Sequence, residues 1–295
     1  MDAPSQPPTP PFQHPLGVFE SLVAALRVYL ANANTLFAIT AIFVIPATIV
    51  TVLLVRLTIA DPLLDFDPNS QENPFEGLTR AEVTSLIGAF VIGIVLNIVI
   101  SMVAIGACFR AIQEALSGQR PDWRSSIRAA LTKVRSLLWL PIVIGLFLFG
   151  GLVAGAVVTA LLGTLNDQLG AFAGVALFVA AVYVFVSWSV AVPVLMAEDR
   201  RGMDAISRSR ELVKGEWWPT LGVYVLALLL IIIVSGVLSA IFNLGERAGT
   251  EGLVLSTLAS VVNNVLFTPL QAALVGVVYL NLALKKAVPP SSTPG

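Results

Sequence analysis

Residues 136–166 read SLLWLPIVIGLFLFGGLVAGAVVTALLGTLN and residues 168–197 read QLGAFAGVALFVAAVYVFVSWSVAVPVLMA, with Asp167 the single charge between Arg135 and Glu198. Each run exceeds the roughly 20 apolar residues that a helix needs to cross a hydrocarbon core of about 30 Å. In lipid, a stretch of this kind satisfies its own amides and carbonyls only as a helix. The two runs therefore predict a membrane hairpin turning at Asp167.

Working outward, four more charge-free runs appear: Arg27 to Arg56, Glu82 to Arg110, Glu216 to Glu246, and Glu251 to Lys285. The reading is an all-α membrane protein with six transmembrane helices. A chain of 295 residues that is 57% hydrophobic and 12% charged leaves little length for a separate soluble domain. The predicted organisation is one six-span membrane domain over residues 16–286, with a tail at 287–295. Residues 1–15 form an arm holding Pro4, Pro7, Pro8, Pro10, Pro11 and the only histidine, His14. The arm lacks the basic start and apolar core of a signal peptide. Both ends read as disordered, and either offers a PxxP-type docking segment to an unidentified protein partner.

Lys and Arg sort by loop. The first, third, fifth and seventh non-spanning segments hold Arg27; Arg110, Arg120, Arg124, Arg128, Lys133 and Arg135; Arg200, Arg201, Arg208, Arg210 and Lys214; and Lys285 and Lys286. Only Arg56, Arg80 and Arg247 lie in the others. The positive-inside rule then puts both termini in the cytoplasm. The longest outer loop gathers Asp61, Asp65, Asp67, Glu72, Glu76 and Glu82 without the spacing of a calcium loop.

Each of the first three basic segments carries an amphipathic stretch. Wound at helical period, Phe19, Leu22, Val23, Leu26 and Leu30 share one side of the first. Trp123, Ile127, Ala130, Leu131 and Val134 group in the second, flanked by Arg124, Arg128 and Arg135. Met203, Ile206, Val213 and Trp217 cluster in the third, where Asp204 can pair with Arg208. Three cytoplasmic interfacial helices, each followed by a hairpin of spans, read either as a threefold pseudo-repeat or as the amphipathic character that any inner loop joining two spans tends to acquire. Apolar residues rimmed by cations suit the headgroup boundary of an anionic inner leaflet. The candidate headgroup contacts are Arg124, Arg128, Arg208, Arg210, Lys214, Trp217 and Trp218. The same charges also serve simply to set topology.

No Asp, Glu, Lys, Arg or His lies within a predicted hydrocarbon core. Proton-coupled carriers and intramembrane hydrolases usually place such groups there, and zinc proteases need a set such as HExxH. One cysteine, Cys108, excludes an internal disulfide and reads as a buried, inert thiol. The expectation is a non-enzyme without catalytic residues, metal or cofactor, and with membrane lipids rather than nucleic acid as partners. Inside the spans, Asn97, Asn263, Asn264 and Gln271 either bond across helix interfaces or wall a polar cavity. Pro46, Pro193 and Pro269 permit kinks, whereas Pro141 is close to the start of its span. Gly88, Gly93, Gly145, Gly150, Gly151 and Gly155 read as close-packing faces.

From Ser187 to Leu230 the chain runs SWSVAVPVLMAEDRRGMDAISRSRELVKGEWWPTLGVYVLALLL. It resembles the membrane domain associated with bacterial glycerophosphoryl diester phosphodiesterases. The shared pattern is a span ending in proline and a hydrophobic-acidic turn, then Ala-x-x-Arg-Ser, then Leu-Val-x-Gly-x-Trp-Trp. Its positions here are Pro193, Glu198, Ala205, Arg208, Ser209, Leu212, Val213, Gly215, Trp217 and Trp218. The opening PLGVFESLVAALRVYLANANTLFAITAIFVIP is also similar to that family. Where the family often ends in Tyr-x-Asp-Leu-Arg, this chain has Tyr279, Asn281, Leu282 and Ala283, without either charge.

That family's hydrolysis belongs to a separate soluble barrel with histidines and a metal, and a chain with His14 alone does not supply it. The resemblance implies a prokaryotic cytoplasmic membrane and a context in phospholipid metabolism. At the matched positions, Gly215 suits a left-handed turn into span five, and the two indoles suit headgroup depth. Arg208 and Ser209 are expected to face water or a neighbouring loop, and Glu198 either to pair with an inner-loop arginine or to stand as a solvated carboxylate. The expected function is a lipid-associated scaffold or membrane anchor; the alternative is a transporter or permease subunit.

Overall fold

The computed structural model describes residues 14–58, 79–198, 200, 202–243 and 250–287. The acidic residues from Asp61 to Glu76, arm residues 1–13 and tail residues 288–295 lie outside them. The described residues form helices without a strand: α1 Val18–Ala31, α2 Ala33–Thr58, α3 Arg80–Leu116, α4 Trp123–Thr132, α5 Val134–Leu165, α6 Asp167–Trp188, α7 Ala191–Ala197, α8 Met203–Val213, α9 Trp217–Asn243 and α10 Thr250–Ala287.

Five stretches are long and apolar enough to cross a membrane: Ala33–Thr51, Val91–Leu116, Gln168–Ala197, Trp217–Ile241 and Thr257–Ala287. The number rises to six if α4 and the start of α5, which meet at a 65° bend, count together as one span. This is the architecture of a multi-pass membrane protein. Three short helices, α1, α4 and α8, each precede a pair of long ones. One residue separates the short helix from the long one in the first two cases, Asn32 and Lys133.

Local chemistry sets several of these boundaries. Asp122 caps α4 by accepting the N–H groups of Arg124 at 3.4 Å and Ser125 at 3.1 Å. Asn166 caps α6 by accepting from Gln168 at 2.8 Å. Span four breaks after Trp188 because Pro193, in the first turn of α7, has no N–H for the carbonyl of Ser189 four residues back. Pro141 leaves α5 unbroken and Pro269 leaves α10 unbroken.

The last helix is the axis of the bundle. In α10, 78% of the spanning window is buried, against 11% in the α6–α7 and α9 windows. Helix α10 packs against α1, α2, α3 and α9. Gly276 admits the Phe109 ring, which would lie 3.2 Å from any added Cβ, and Phe109 meets Tyr279 edge-on at 6.1 Å. The core sits toward one end, where Leu36, Ile112, Leu140, Val194, Leu212 and Tyr279 are all fully buried.

Away from that end, large apolar side chains face outward. Leu146, Phe147, Phe172, Phe178, Ile233 and Ile241 are among them. So much exposed hydrocarbon suits lipid and not water. The α5–α6 hairpin closes on itself through small residues. A Cβ at Gly170 would lie 2.9 Å from Gly163 Cα, and one at Gly155 would strike Leu177. Among the glycines expected to form packing faces, Gly88, Gly145, Gly150 and Gly151 instead face open space. Only Gly155 makes a tight contact, and Gly93 lies at an ordinary 3.8 Å from Thr51.

Candidate functional site

The break before Pro193 lets α7 deliver Glu198, at its carboxyl end, into the core end of the bundle. The Glu198 side chain is only 10% exposed and accepts from Arg208 Nε at 3.1 Å. Arg200 adds an ion pair at 3.3 Å, and the Tyr279 hydroxyl donates to Glu198 Oε1 at 3.2 Å. One carboxylate thus joins the carboxyl end of α7, helix α8 and helix α10. Lys133 Nζ, at the α4–α5 junction, donates to the carbonyls of Leu195 at 3.4 Å and Met196 at 3.3 Å. A cation there complements the carbonyl end of α7.

The same end ties down the chain's beginning and close. Asn281 on α10 binds both backbone groups of Leu16. Lys285 pairs with Glu216 at 2.6 Å, and Lys286 donates to the Lys214 carbonyl at 2.9 Å. Ser209 is fully buried and donates to the Ser187 carbonyl at 2.9 Å, locking α8 to α6. The basic segments therefore converge on one end of the bundle.

Two surface grooves open there. One, of about 350 Å³, runs between the end of α6 and the α8–α9 turn and is lined by Tyr183, Ser187, Arg210, Lys214 and Trp217 among others. Gly215, at φ +87°, makes that turn, as its sequence context predicted. The other, of about 290 Å³, lies beside Arg110 and Glu114, which pair at 3.1 Å. An apolar crevice of about 210 Å³ flanks Pro46 between α2 and α3. Among the described residues, no group of three or more His, Cys, Asp or Glu is placed to hold a metal ion.

Residues 13–281 match the family described as Domain of unknown function (DUF8558). The chain belongs to that family. No curated protein and no solved structure matches it. In this DUF8558 chain the matched stretch ends at Asn281, the residue that holds Leu16.

The expected headgroup residues divide into two groups. Arg124, Arg128, Arg210, Lys214 and Trp218 are exposed, and the Arg124 guanidinium lies 4.9 Å over the Trp123 ring. Arg208 is instead held by Glu198 and, at 3.3 Å, by Glu211, in place of the expected Asp204 partner. Trp217 is half-buried, stacked on Tyr183 at 5.8 Å with its Nε1–H on the Tyr183 carbonyl at 3.4 Å. Ser209, expected to face water or a loop, is in the core because its hydroxyl has a carbonyl partner there.

The four amides have separate surroundings. Asn97 and Gln271 are exposed. Asn263 accepts from Ser235 at 3.0 Å, bonding α10 to α9, and Asn264 donates to Ser260 of its own helix at 2.9 Å. None of them lines the grooves or the crevice described above.

Residues to which sequence reasoning gave no role at the site do much of the joining: Lys133, Tyr183, Glu216, Tyr279 and Asn281. Asn281 had a visible signal, an amide in an apolar run one helical turn before Lys285. Tyr183 had none, being one aromatic among many in span four.

Proposed function

We propose that this protein is a non-enzymatic six-span scaffold or anchor of a prokaryotic cytoplasmic membrane, with both termini inside and α1, α4 and α8 lying in the inner-leaflet interface. One observation carries the reading: each short helix is fastened to the bundle on one face and shows apolar or cationic groups on the other. On α1, Leu22, Ala25 and Tyr29 are buried while Phe19 and Leu30 are exposed. On α4, Ser126 and Ala130 are buried while Trp123, Leu131, Arg124 and Arg128 are exposed. On α8 and just beyond it, Ala205, Ile206 and Leu212 are buried while Met203, Arg210, Lys214 and Trp218 are exposed. An in-plane helix at an anionic surface needs that division.

Six spans follow from treating α5 as one continuous helix of 32 residues, with α4 outside it at the bend. The loop charges then orient the basic end inward. The resemblance to the membrane domain of glycerophosphoryl diester phosphodiesterases supports a setting in phospholipid metabolism. A transport role has less support, because α10 fills the bundle axis and the four amides point to no common space.

The test is reconstitution in vesicles containing phosphatidylglycerol and phosphatidylcholine. Wild-type protein is expected to enrich the anionic lipid around itself. Neutralising the exposed Arg124, Arg128, Arg210 and Lys214 to Gln should abolish that enrichment, and unchanged enrichment overturns the lipid reading.

A further inference from the structure

Among the exposed cations, Arg210 and Lys214 stand apart because a groove with a built wall lies in front of them. Arg210 lies in the last turn of α8 and Lys214 is the residue that caps it, and both line the groove. Among the described residues neither has a carboxylate partner. Glu211, the one acid at the groove, is occupied by Arg208 at 3.3 Å. Lys286, held to the Lys214 carbonyl at 2.9 Å, brings a third positive charge to this end of α8.

The opposite wall is the Tyr183–Trp217 stack, fixed by the indole N–H on the Tyr183 carbonyl. Ser207 supplies an exposed hydroxyl, the buried Ser187 hydroxyl donates to the Tyr183 carbonyl at 2.7 Å, and Gly215 leaves open space where a side chain would stand. A volume of about 350 Å³ falls within the about 300–1,000 Å³ of small-ligand sites. From the groove an apolar stripe continues along α6: Tyr183, Val179, Val175 and Phe172 follow at spacings of four, four and three residues, and all are exposed.

We propose that this groove binds the phosphodiester headgroup of one anionic glycerophospholipid, with an acyl chain laid along the α6 stripe. The assignment rests on the inner-leaflet reading above and narrows it to one site. Arg210 offers paired N–H donors to phosphate oxygens and Lys214 a point charge. The stripe selects a lipid, because a free phosphate or glycerol phosphate would meet the cations and leave the hydrocarbon track empty.

The experiment purifies the full chain in mild detergent from membranes containing phosphatidylglycerol and phosphatidylcholine, and counts retained phospholipid by native mass spectrometry. Wild-type protein is expected to keep one phosphatidylglycerol. R210Q/K214Q should lower its affinity about thirtyfold, as two surface cations imply, while R210K/K214R retains it. Both pairs are exposed, and unchanged thermal unfolding shows that each variant is folded. V175S/V179S should also weaken retention.

Inorganic phosphate and glycerol phosphate at millimolar levels should not displace the lipid; displacement by either makes this a soluble-phosphate site and overturns the lipid assignment. If R210Q/K214Q keeps its lipid while neutralising all four exposed cations loses anionic enrichment, the groove assignment fails and the inner-leaflet reading stands. If neither variant changes anything, both fail.

Discussion

Asn281, on the final helix, grips the backbone of Leu16 at both its polar groups: the Leu16 N–H donates to Asn281 Oδ1 at 2.8 Å, and Asn281 Nδ2 donates to the Leu16 carbonyl at 3.0 Å. The first and last elements of the chain are thereby closed on each other ahead of α1. Asn281→Ala leaves both groups without their partner. Thermal or denaturant unfolding in detergent should show a loss of about 2 kcal/mol. Asn281→Asp keeps an acceptor for the N–H but sets an oxygen against the Leu16 carbonyl, so part of the loss should remain.

Glu198 and its partners make an internal control. Arg208 is 29% exposed at its side chain and Arg200 51%. Glu198→Ala strips a charged acceptor from Arg208 and from the Tyr279 hydroxyl in a mostly enclosed place, and should cost about 2 kcal/mol. Arg200→Ala removes only a solvent-screened pair and should cost less than about 0.5 kcal/mol. Equal losses in the unfolding of these two variants would contradict the assignment of Glu198 as a junction.

In the α5–α6 hairpin the position of a methyl group decides its effect. At Gly170 an alanine Cβ meets Gly163 Cα at 2.9 Å and the Thr159 carbonyl oxygen at 3.2 Å, backbone atoms that yield only if the helices part. Gly170→Ala should therefore destabilise by about 1–3 kcal/mol. Gly150→Ala and Gly151→Ala meet nothing within 4 Å and should leave the unfolding temperature unchanged or slightly raised.

Cys108 is completely buried and is the chain's one cysteine. A maleimide should fail to label the native protein and should label it after denaturation. That silent background makes introduced thiols informative about sidedness. Arg124→Cys and Lys286→Cys should react in inverted inner-membrane vesicles with an impermeant reagent and stay unlabelled in intact spheroplasts. The reverse pattern would place the basic end outside.

Helix content was legible because hydropathy and the positions of charges are local properties. The long apolar runs around Asp167 appear as α5 and α6, and the three amphipathic stretches appear as α1, α4 and α8. The site was only partly legible. Gly215 was read from residue type and context, whereas the pairing of Glu198 with an arginine was one of two readings and needed the structure to decide it. The separation of Arg208 from Arg210 was not, because two arginines on one short helix look alike until a carboxylate arrives from another element. The glycines show the same limit: composition marks small residues, but a contact needs a neighbour, and Gly163 and Gly170 meet because the turn at Asn166 brings their helices together.

By itself, then, the amino-acid order determined that the chain forms long apolar helices and sorts its cations between alternate loops, since both depend on a residue and its near neighbours along the chain. Tertiary structure alone decided that α10 is the axis, that Glu198, Lys133 and Asn281 bind the basic end together, and that Arg210 and Lys214 face a groove. Those outcomes depend on which helices touch, and contacts between residues as far apart as Leu16 and Asn281 leave no mark on local hydropathy.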